Sequence, residues 1–442
     1  MKNKLKIIIP VVIAIVVIVA IILFVVFGDS GGKNGKNSIT VLDNSGEILT
    51  TLQSFENEGD YSAYLDIVLS EVQEVIGEEL NGNYTVETTF DKTAFDSCNN
   101  AYEKMELSDT PFASVITSID GKILCAISNG EGRVNYAVEK TQPYSAFKPL
   151  SVYAPALEKG TASWASSYLD TPVKKVLSES GEYVNWPANG TGKYTETNVS
   201  ISEGIKLSLN TTAVKCLMEM GVSYSVDFLS NNFDIDVQYE KEVMALKGEE
   251  EILHNIGMGY LIAGVSPVDM AGFYQIFANG GSYIEPYSVL KIIDETEKVI
   301  YEAKPEVKQI ISPETAYIMN LLLQNTLTPG GTAEKAQYED LAIGGKTGTG
   351  DDRTGNWFVG FTPEYCCSVW HGENPQNVCA ETFSYLIAGV EHDKTKKYPE
   401  CPTVKMKVFC EESGGRLTMN CNSMGTGYFP INYVLKECEI HS

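Results

Sequence analysis

An unbroken apolar run, "IIIPVVIAIVVIVAIILFVVF" from Ile7 to Phe27, sets the first limit on how this chain can fold. At about 1.5 Å per residue, a helix over it would reach roughly 31 Å, matching a bilayer's hydrocarbon core of about 30 Å. A cleavable leader has an apolar region of about 7–15 residues closing on small residues at a cleavage site. "FVVFGDSGG" offers no such site. The run therefore reads as a single transmembrane anchor. Lys2, Lys4 and Lys6 keep the N-terminus in the cytoplasm, so everything after Gly28 is expected outside it. Pro10 is tolerable so near the start of the helix.

The 442-residue chain is long enough for one large domain or two ordinary ones. Its formal charge of -25 argues against a nucleic-acid partner, because such binding relies on Lys and Arg to displace counterions from phosphates. The ten cysteines suit an extracytoplasmic body, where disulfides persist. There is no Cys-x-x-Cys pair, and only four histidines are scattered along the chain. Both facts weigh against a zinc site and favour structural disulfides or buried thiols, with no metal and no cofactor expected.

"GDSGGKNGKNS", Gly28 to Ser38, has the composition of a flexible tether, and a compact body begins beyond it. Leu65, Val68, Leu69, Val72, Val75 and Ile76 keep the spacing of an amphipathic helix. "NYTVETTF" reads as a strand, "DKTAFDSCNNAYEKM" as a helix, and "ASVITSIDGKILCAIS" as a hairpin turning at Asp120-Gly121. "LAIGGKTGT", "NWFVGFT" and "YCCSVWHG" suggest consecutive antiparallel strands, the last two separated by a turn at Pro363-Glu364. Residues 145–280 are mostly helical in pattern. The fold class is α+β: an antiparallel sheet drawn from both ends of a domain, with a helical part between.

"LAIGGKTGTG" ends in the Gly-Lys-Thr that also closes a phosphate-binding loop. That loop needs a glycine where this chain has Asp340, and a carboxylate there would repel phosphate. Lys346 and its threonines need another role. "YSAFKPLSVYAPALEKG" supplies Ser145 and Lys148, a Ser-x-x-Lys whose side chains share one face at a helix start, as a nucleophile and its base require. Taken alone this pair is weak, since exposed serines and lysines often meet at that spacing. Ser208-Leu209-Asn210 follows between two helices, the first opened by a possible capping box of Ser200 and Glu203. By itself, Asn210 reads as a cap for the second. Lys346-Thr347-Gly348 comes later on a strand.

Three motifs now agree in order, spacing and element type, and the chain resembles the transpeptidase domain of penicillin-binding proteins. The likeness runs through "YTVETTFD", "SAFKPLSVYAPALEKG", "GVSPVDMAGFYQIFANGG" and "GGTAEKAQYEDLAIGGKTGTGDDRTGNWFVGFTPEY", and is nearest to the bifunctional class A enzymes. Residues 28–83 leave too little room for their glycosyltransferase domain, so a separate glycan-polymerising partner is expected. Two local departures stand out: Tyr144 replaces the usual glycine before the serine, and Pro155 should bend the nucleophile helix.

The resemblance implies a penicillin-binding transpeptidase and serine β-lactamase-like fold, an antiparallel sheet with a helical subdomain, behind one N-terminal transmembrane helix. The implied division is a cytoplasmic stub and anchor at 1–28, a linker and helical segment at 29–83, the transpeptidase domain at 84–398 and a cysteine-containing tail at 399–442. Ser145 would be the nucleophile toward D-alanyl-D-alanine stem peptides and β-lactams, Lys148 its base and Ser208 a proton relay. Asn210 would hold the stem-peptide amide, and Lys346, Thr347, Gly348 and Thr349 would receive the terminal carboxylate. The N–H groups of Ser145 and Thr349 would form the oxyanion hole. Strict alternation nevertheless puts Lys346 on the face opposite Thr347 and Thr349. The tail resembles the cysteine-containing end of class A chains, which implies one disulfide among Cys410, Cys421 and Cys438, with Cys401 a possible fourth member.

The activity implied is that of a D,D-transpeptidase of the bacterial cell membrane, with D,D-carboxypeptidase the runner-up. An anchored β-lactamase would need a deacylating glutamate, for which Glu250 and Glu251 in "EEEILHN" are the candidates, though an acidic run usually faces solvent. A non-catalytic β-lactam sensor usually carries more cytoplasmic sequence than precedes Ile7.

Overall fold

The computed structural model describes residues 37–441 except 58–60, 108, 131–133, 179, 351–353 and 374–377. The anchor expected over Ile7–Phe27 lies outside them. Among the described residues no helix is long and apolar enough to cross a membrane.

The chain opens with β1 (Ser38–Leu42), β2 (Ile48–Leu52), α1 (Ser62–Ile76) and β3 (Asn83–Thr88), then α2 (Lys92–Met105), β4 (Phe112–Ser118) and β5 (Ile123–Ser128). Helices α3 (Ala154–Lys159), α4 (Ile201–Lys206), α5 (Asn210–Met220), α6 (Val222–Phe233) and α7 (Glu250–Met258) follow. The second half holds β6 (Val289–Asp294), β7 (Val299–Glu302), α8 (Pro313–Asn325), β8 (Gly344–Thr349), β9 (Thr354–Phe361), β10 (Tyr365–Glu373) and α9 (Val378–Gly389), and the tail β11 (Val404–Cys410) and β12 (Met424–Pro430).

The sheet that positions the site is antiparallel throughout, in the order β8-β9-β10-β4-β5. The hairpin expected at Asp120-Gly121 joins β4 and β5, with Gly121 at φ 86°, a conformation that side chains disfavour. Helices α2 and α9 pack together against the sheet; Phe358 of β9 meets Phe383 of α9 edge-on at 4.8 Å. On the other face, the Trp357 indole reaches the carbonyl of Gln142 beside the segment that carries Ser145.

A second sheet, in the order β7-β6-β3-β1-β2, carries the face of α1 that includes Tyr64, Val68 and Val72. Its strands β1 and β2 fall within residues read from sequence as linker and helix. β2 pairs with β1, which joins β3 in parallel, and β3 in turn pairs with β6 from far along the chain.

The tail hairpin β11–β12 has a separate small core of Ala165, Phe409 and Phe429. The disulfide expected there is not formed, for all ten cysteines are free thiols. Cys421 and Cys438 hold their sulfurs 3.7 Å apart, against about 2.05 Å for a bond. Cys401 stands apart beside the Thr403 hydroxyl. The reason is geometric: the sulfurs of Cys410, Cys421 and Cys438 gather with the His441 ring, each within 4.8 Å of the others, with none drawn to bonding distance.

Candidate active site

Ser145 lies on a tight 3₁₀ turn, Tyr144–Phe147, whose last bond runs from the Lys148 N–H to the Ser145 carbonyl. With about three residues per turn, positions i and i+3 eclipse, so Lys148 stands directly beyond Ser145. The serine is half-buried and the lysine wholly buried.

The bend expected from Pro155 appears as a wide turn over Pro149–Tyr153, in which the Ala154 N–H reaches back to the Pro149 carbonyl before α3 begins. Pro155 has no N–H to give the Ser151 carbonyl, and the Ser225 hydroxyl of α6 donates there instead.

Tyr144 holds φ 50°, the left-handed region where a non-glycine backbone is strained by about 1–3 kcal/mol. This explains the glycine usual at that position. Here the tyrosine is retained by close surroundings: its ring meets Tyr260 edge-on at 5.3 Å, and Gly259 passes so near its carbonyl that a Cβ there would sit 1.9 Å from the oxygen.

The second motif sits at the break between α4 and α5. Ser200 caps α4 by accepting the Glu203 N–H, and Ser208 takes φ 58° in the break. Asn210 is not the cap of α5 but its first residue. Its side-chain carbonyl accepts from Lys148 Nζ, and its amide donates to the Ala188 carbonyl at 2.6 Å.

A polar group that no local motif announces holds this asparagine: Asn189 Oδ1 accepts the Asn210 N–H, and Asp170 accepts from both Asn189 and the Thr211 hydroxyl. These residues are far apart in sequence and carry no shared signature.

On β8, Lys346 Nζ donates to Ser208 Oγ at 2.7 Å and to the Thr347 carbonyl at 3.1 Å. Gly348 is pressed onto the nucleophile turn, where a Cβ would come within 2.5 Å of the Pro143 carbonyl oxygen and 3.1 Å of Ala146. Alternation is obeyed, so Lys346 and Gly348 face Ser145 while the Thr347 and Thr349 side chains, half-buried, lie on the opposite pleat.

What unites them with Lys346 is the free edge of β8. Gly350 bonds inward to Gly355, and antiparallel alternation then turns the backbone groups of Gly345, Thr347 and Thr349 outward. Two of those outward carbonyls have partners, Gly345 accepting from the Thr326 hydroxyl and Thr347 from Lys346.

Burial draws the pKa of Lys148 from its ordinary 10.5 down to about 7. Lys346, also wholly buried, lies well below 10.5 because of burial and then repulsion from Lys148. That repulsion is mutual, so the pair resists carrying two charges. The structure thus brings Ser145, Lys148, Ser208, Asn210, Lys346 and Gly348 to one place, with Thr347 and Thr349 reaching it through the strand edge. Glu250 is not part of it: exposed at the start of α7, it pairs with Lys174 at 2.8 Å.

Residues 112–374 match the family model described as the penicillin binding protein transpeptidase domain. The chain belongs to that family. Among curated proteins it is 32% identical over 335 residues to penicillin-binding protein 1F of Bacillus subtilis strain 168, covering 71% of this chain and 43% of that one. It is 28% identical over 343 residues to penicillin-binding protein 1A of Clostridium botulinum strain Hall, covering 72% and 40%. The chain thus spans about two-fifths of the length of the curated relatives it matches.

Two solved structures share its fold. Penicillin-binding protein 1A from Haemophilus influenzae superposes with a TM-score of 0.69 at 19% identity, covering 87% of this chain and 78% of that one. The D,D-transpeptidase domain of a peptidoglycan glycosyltransferase from Eggerthella lenta gives 0.65 at 18%, covering 80% and 98%. The expected α+β fold is therefore present.

Proposed function

We propose that this chain is a membrane-anchored peptidoglycan D,D-transpeptidase that cross-links stem peptides through an acyl-enzyme on Ser145. One observation carries the reading: a wholly buried Lys148, its pKa near 7, stands one 3₁₀ turn beyond an accessible serine. A lysine so poised is a base at neutral pH.

In this reading Lys148 takes the Ser145 hydroxyl proton as Oγ bonds to the carbonyl carbon of the penultimate D-alanine. The N–H groups of Ser145 and Thr349, the latter on the outward edge of β8, receive the oxyanion. The peptide bond then breaks, and the proton passes through Ser208 to the departing D-alanine amine. An incoming amine attacks the ester, and its proton returns by the same route.

Lys346, with Thr347 and Thr349 on the strand edge, receives the terminal carboxylate. A bound carboxylate favours the charged form of Lys346, whose repulsion in turn keeps Lys148 neutral. Substrate thereby prepares its own base. Asn210 takes the stem-peptide amide, an exchange for its bond to Lys148. β-Lactams acylate the same serine. Residues 7–27 anchor the chain in a bacterial cell membrane with the catalytic part outside, and a separate glycosyltransferase supplies the glycan strands.

The lifetime of the penicilloyl-enzyme tests this. Because Glu250, the glutamate offered for delivering water, is exposed and paired with Lys174, the adduct on Ser145 is expected to persist for many minutes by intact mass, and a D-amino acid added with a D-Ala-D-Ala donor to be incorporated at the expense of hydrolysis. Rapid release of penicilloate would move the chain to the β-lactamases. Donor hydrolysis that no amine diverts would make it a D,D-carboxypeptidase.

A further inference from the structure

Outside the active site, the densest group of metal-ligating atoms is in the tail. Cys410 ends β11, Cys421 lies in the turn before β12, and Cys438 and His441 come from the segment after it. One ligand atom from each lies within 4.8 Å of every other. His441 Nδ1 is 3.4 Å from the sulfurs of both Cys410 and Cys438, and the sulfurs of Cys421 and Cys438 are 3.7 Å apart.

These three distances are close to edges of a coordination tetrahedron. A tetrahedral ion with Zn–S of about 2.3 Å and Zn–N of about 2.0–2.1 Å sets its sulfurs about 3.8 Å apart and sulfur to nitrogen about 3.6 Å apart. A disulfide would draw two of the sulfurs to about 2.05 Å and leave the third thiol and the imidazole without a partner. We propose that Cys410, Cys421, Cys438 and His441 bind one zinc ion that closes the C-terminal module.

The surroundings are built for thiolates and a metal-facing imidazole. Thr418 N–H and Thr418 Oγ1 approach the Cys421 sulfur at 3.2 and 3.3 Å. The His441 N–H and the Ser413 hydroxyl approach the Cys438 sulfur at 3.3 and 3.2 Å. Donors of this kind hold the negative charge that remains on sulfur after coordination. The far ring nitrogen, Nε2, faces Glu412 Oε2 at 3.3 Å and the Asn422 amide at the same distance. With the proton on Nε2, the ring N–H can donate to the Glu412 carboxylate, the usual outer partner of a ligating histidine, and leave the Nδ1 lone pair for the metal.

A donor set of three sulfurs and one nitrogen suits zinc, a redox-inert ion, over the oxygen-preferring cations. As each Zn–S bond forms, the thiol gives its proton to solvent.

The module also needs such a closure. Beyond the hairpin its buried apolar core is Ala165, Phe409 and Phe429, and a unit this small rarely holds its shape without a staple. The ligands were hidden in sequence because three of them lie on separate segments and the fourth forms Cys438-x-x-His441, not a Cys-x-x-Cys pair. The inference does not rest on the reading of the active site.

The test is the zinc content of the full-length chain, purified in detergent without chelator under reducing conditions. About one zinc per chain is expected, falling below about a tenth in Cys438→Ser and in His441→Ala and unchanged in Cys401→Ser, since Cys401 lies outside the cluster. Should those variants fail to fold, wild-type protein stripped of metal and given Co²⁺ decides. It should show thiolate-to-cobalt charge transfer and the strong visible bands of tetrahedral cobalt, both erased by added Zn²⁺. A reduced wild-type chain that holds no zinc and gives no tetrahedral cobalt spectrum overturns the proposal. So does zinc that stays after both substitutions, or a disulfide among Cys410, Cys421 and Cys438 in peptides mapped without reductant from chain purified without reductant.

Discussion

Replacing Lys148 by methionine should stabilise the fold while destroying its chemistry. In the native state burial lowers the lysine pKa from 10.5 to about 7. At about 1.4 kcal/mol per pH unit, this amounts to about 5 kcal/mol by which the protonated side chain opposes folding. Because the folded pKa is the lower one, the unfolded chain binds more protons between about pH 7 and 10.5, and stability rises with pH across that window. The penalty is complete below pH 7 and gone above 10.5.

Methionine fills nearly the same volume and has no proton to lose, but it abandons the bond to Asn210, a loss of about 1 kcal/mol. Lys148→Met should therefore exceed the wild type in stability by about 4 kcal/mol at pH 6, and the gap should narrow by about 3 kcal/mol by pH 9.5. Urea denaturation of the detergent-solubilised chain, followed by tryptophan fluorescence, reads this, since Trp357 is buried against the nucleophile segment. A gap that stays flat across that range, or a variant less stable at pH 6, would show that Lys148 is not held neutral by burial. The same variant should not be labelled by a fluorescent penicillin.

Four further outcomes are expected. Ser145→Ala should abolish covalent penicillin labelling with the fold intact by circular dichroism; labelling at the wild-type rate would remove the serine from the mechanism. The wild-type acylation rate should climb with pH and level off above about 7, as the Lys148 amine loses its proton; a rate that falls over that range would identify a different base. Lys346→Ala should raise the acylation barrier by about 3 kcal/mol, close to a hundredfold in rate, and an unchanged rate would make the residue structural. Gly348→Ala would set a methyl 2.5 Å from the Pro143 carbonyl oxygen, and should lower stability by about 1–3 kcal/mol and slow acylation, as thermal melts and labelling kinetics can measure.

The sequence by itself determined the elements whose signals are local. Apolar periodicity marked α1, Asp91 and the residues after it marked α2, and Asp120-Gly121 marked the β4–β5 hairpin. The three motifs were legible for the same reason: each is a few adjacent residues on one turn or strand, and their order along the chain carries the resemblance to the family. The sequence also showed Tyr144 and Pro155 as departures, yet only the structure gives their meaning, a strained φ held by Gly259 and Tyr260, and a freed carbonyl answered by Ser225.

Everything that depends on distance through space was decided by tertiary structure. Burial from all sides turns two ordinary lysines into a pair that resists double charge, and no window of sequence contains the residues that bury them. The pairing of β1 with β3 and of β3 with β6 depends on a surface offered from far along the chain. The tail shows the difference most sharply. The family resemblance implied a disulfide and spacing argued against a metal, but the ligands of a metal need proximity, not spacing, and folding brings one ligand atom from each of four side chains within 4.8 Å of the others.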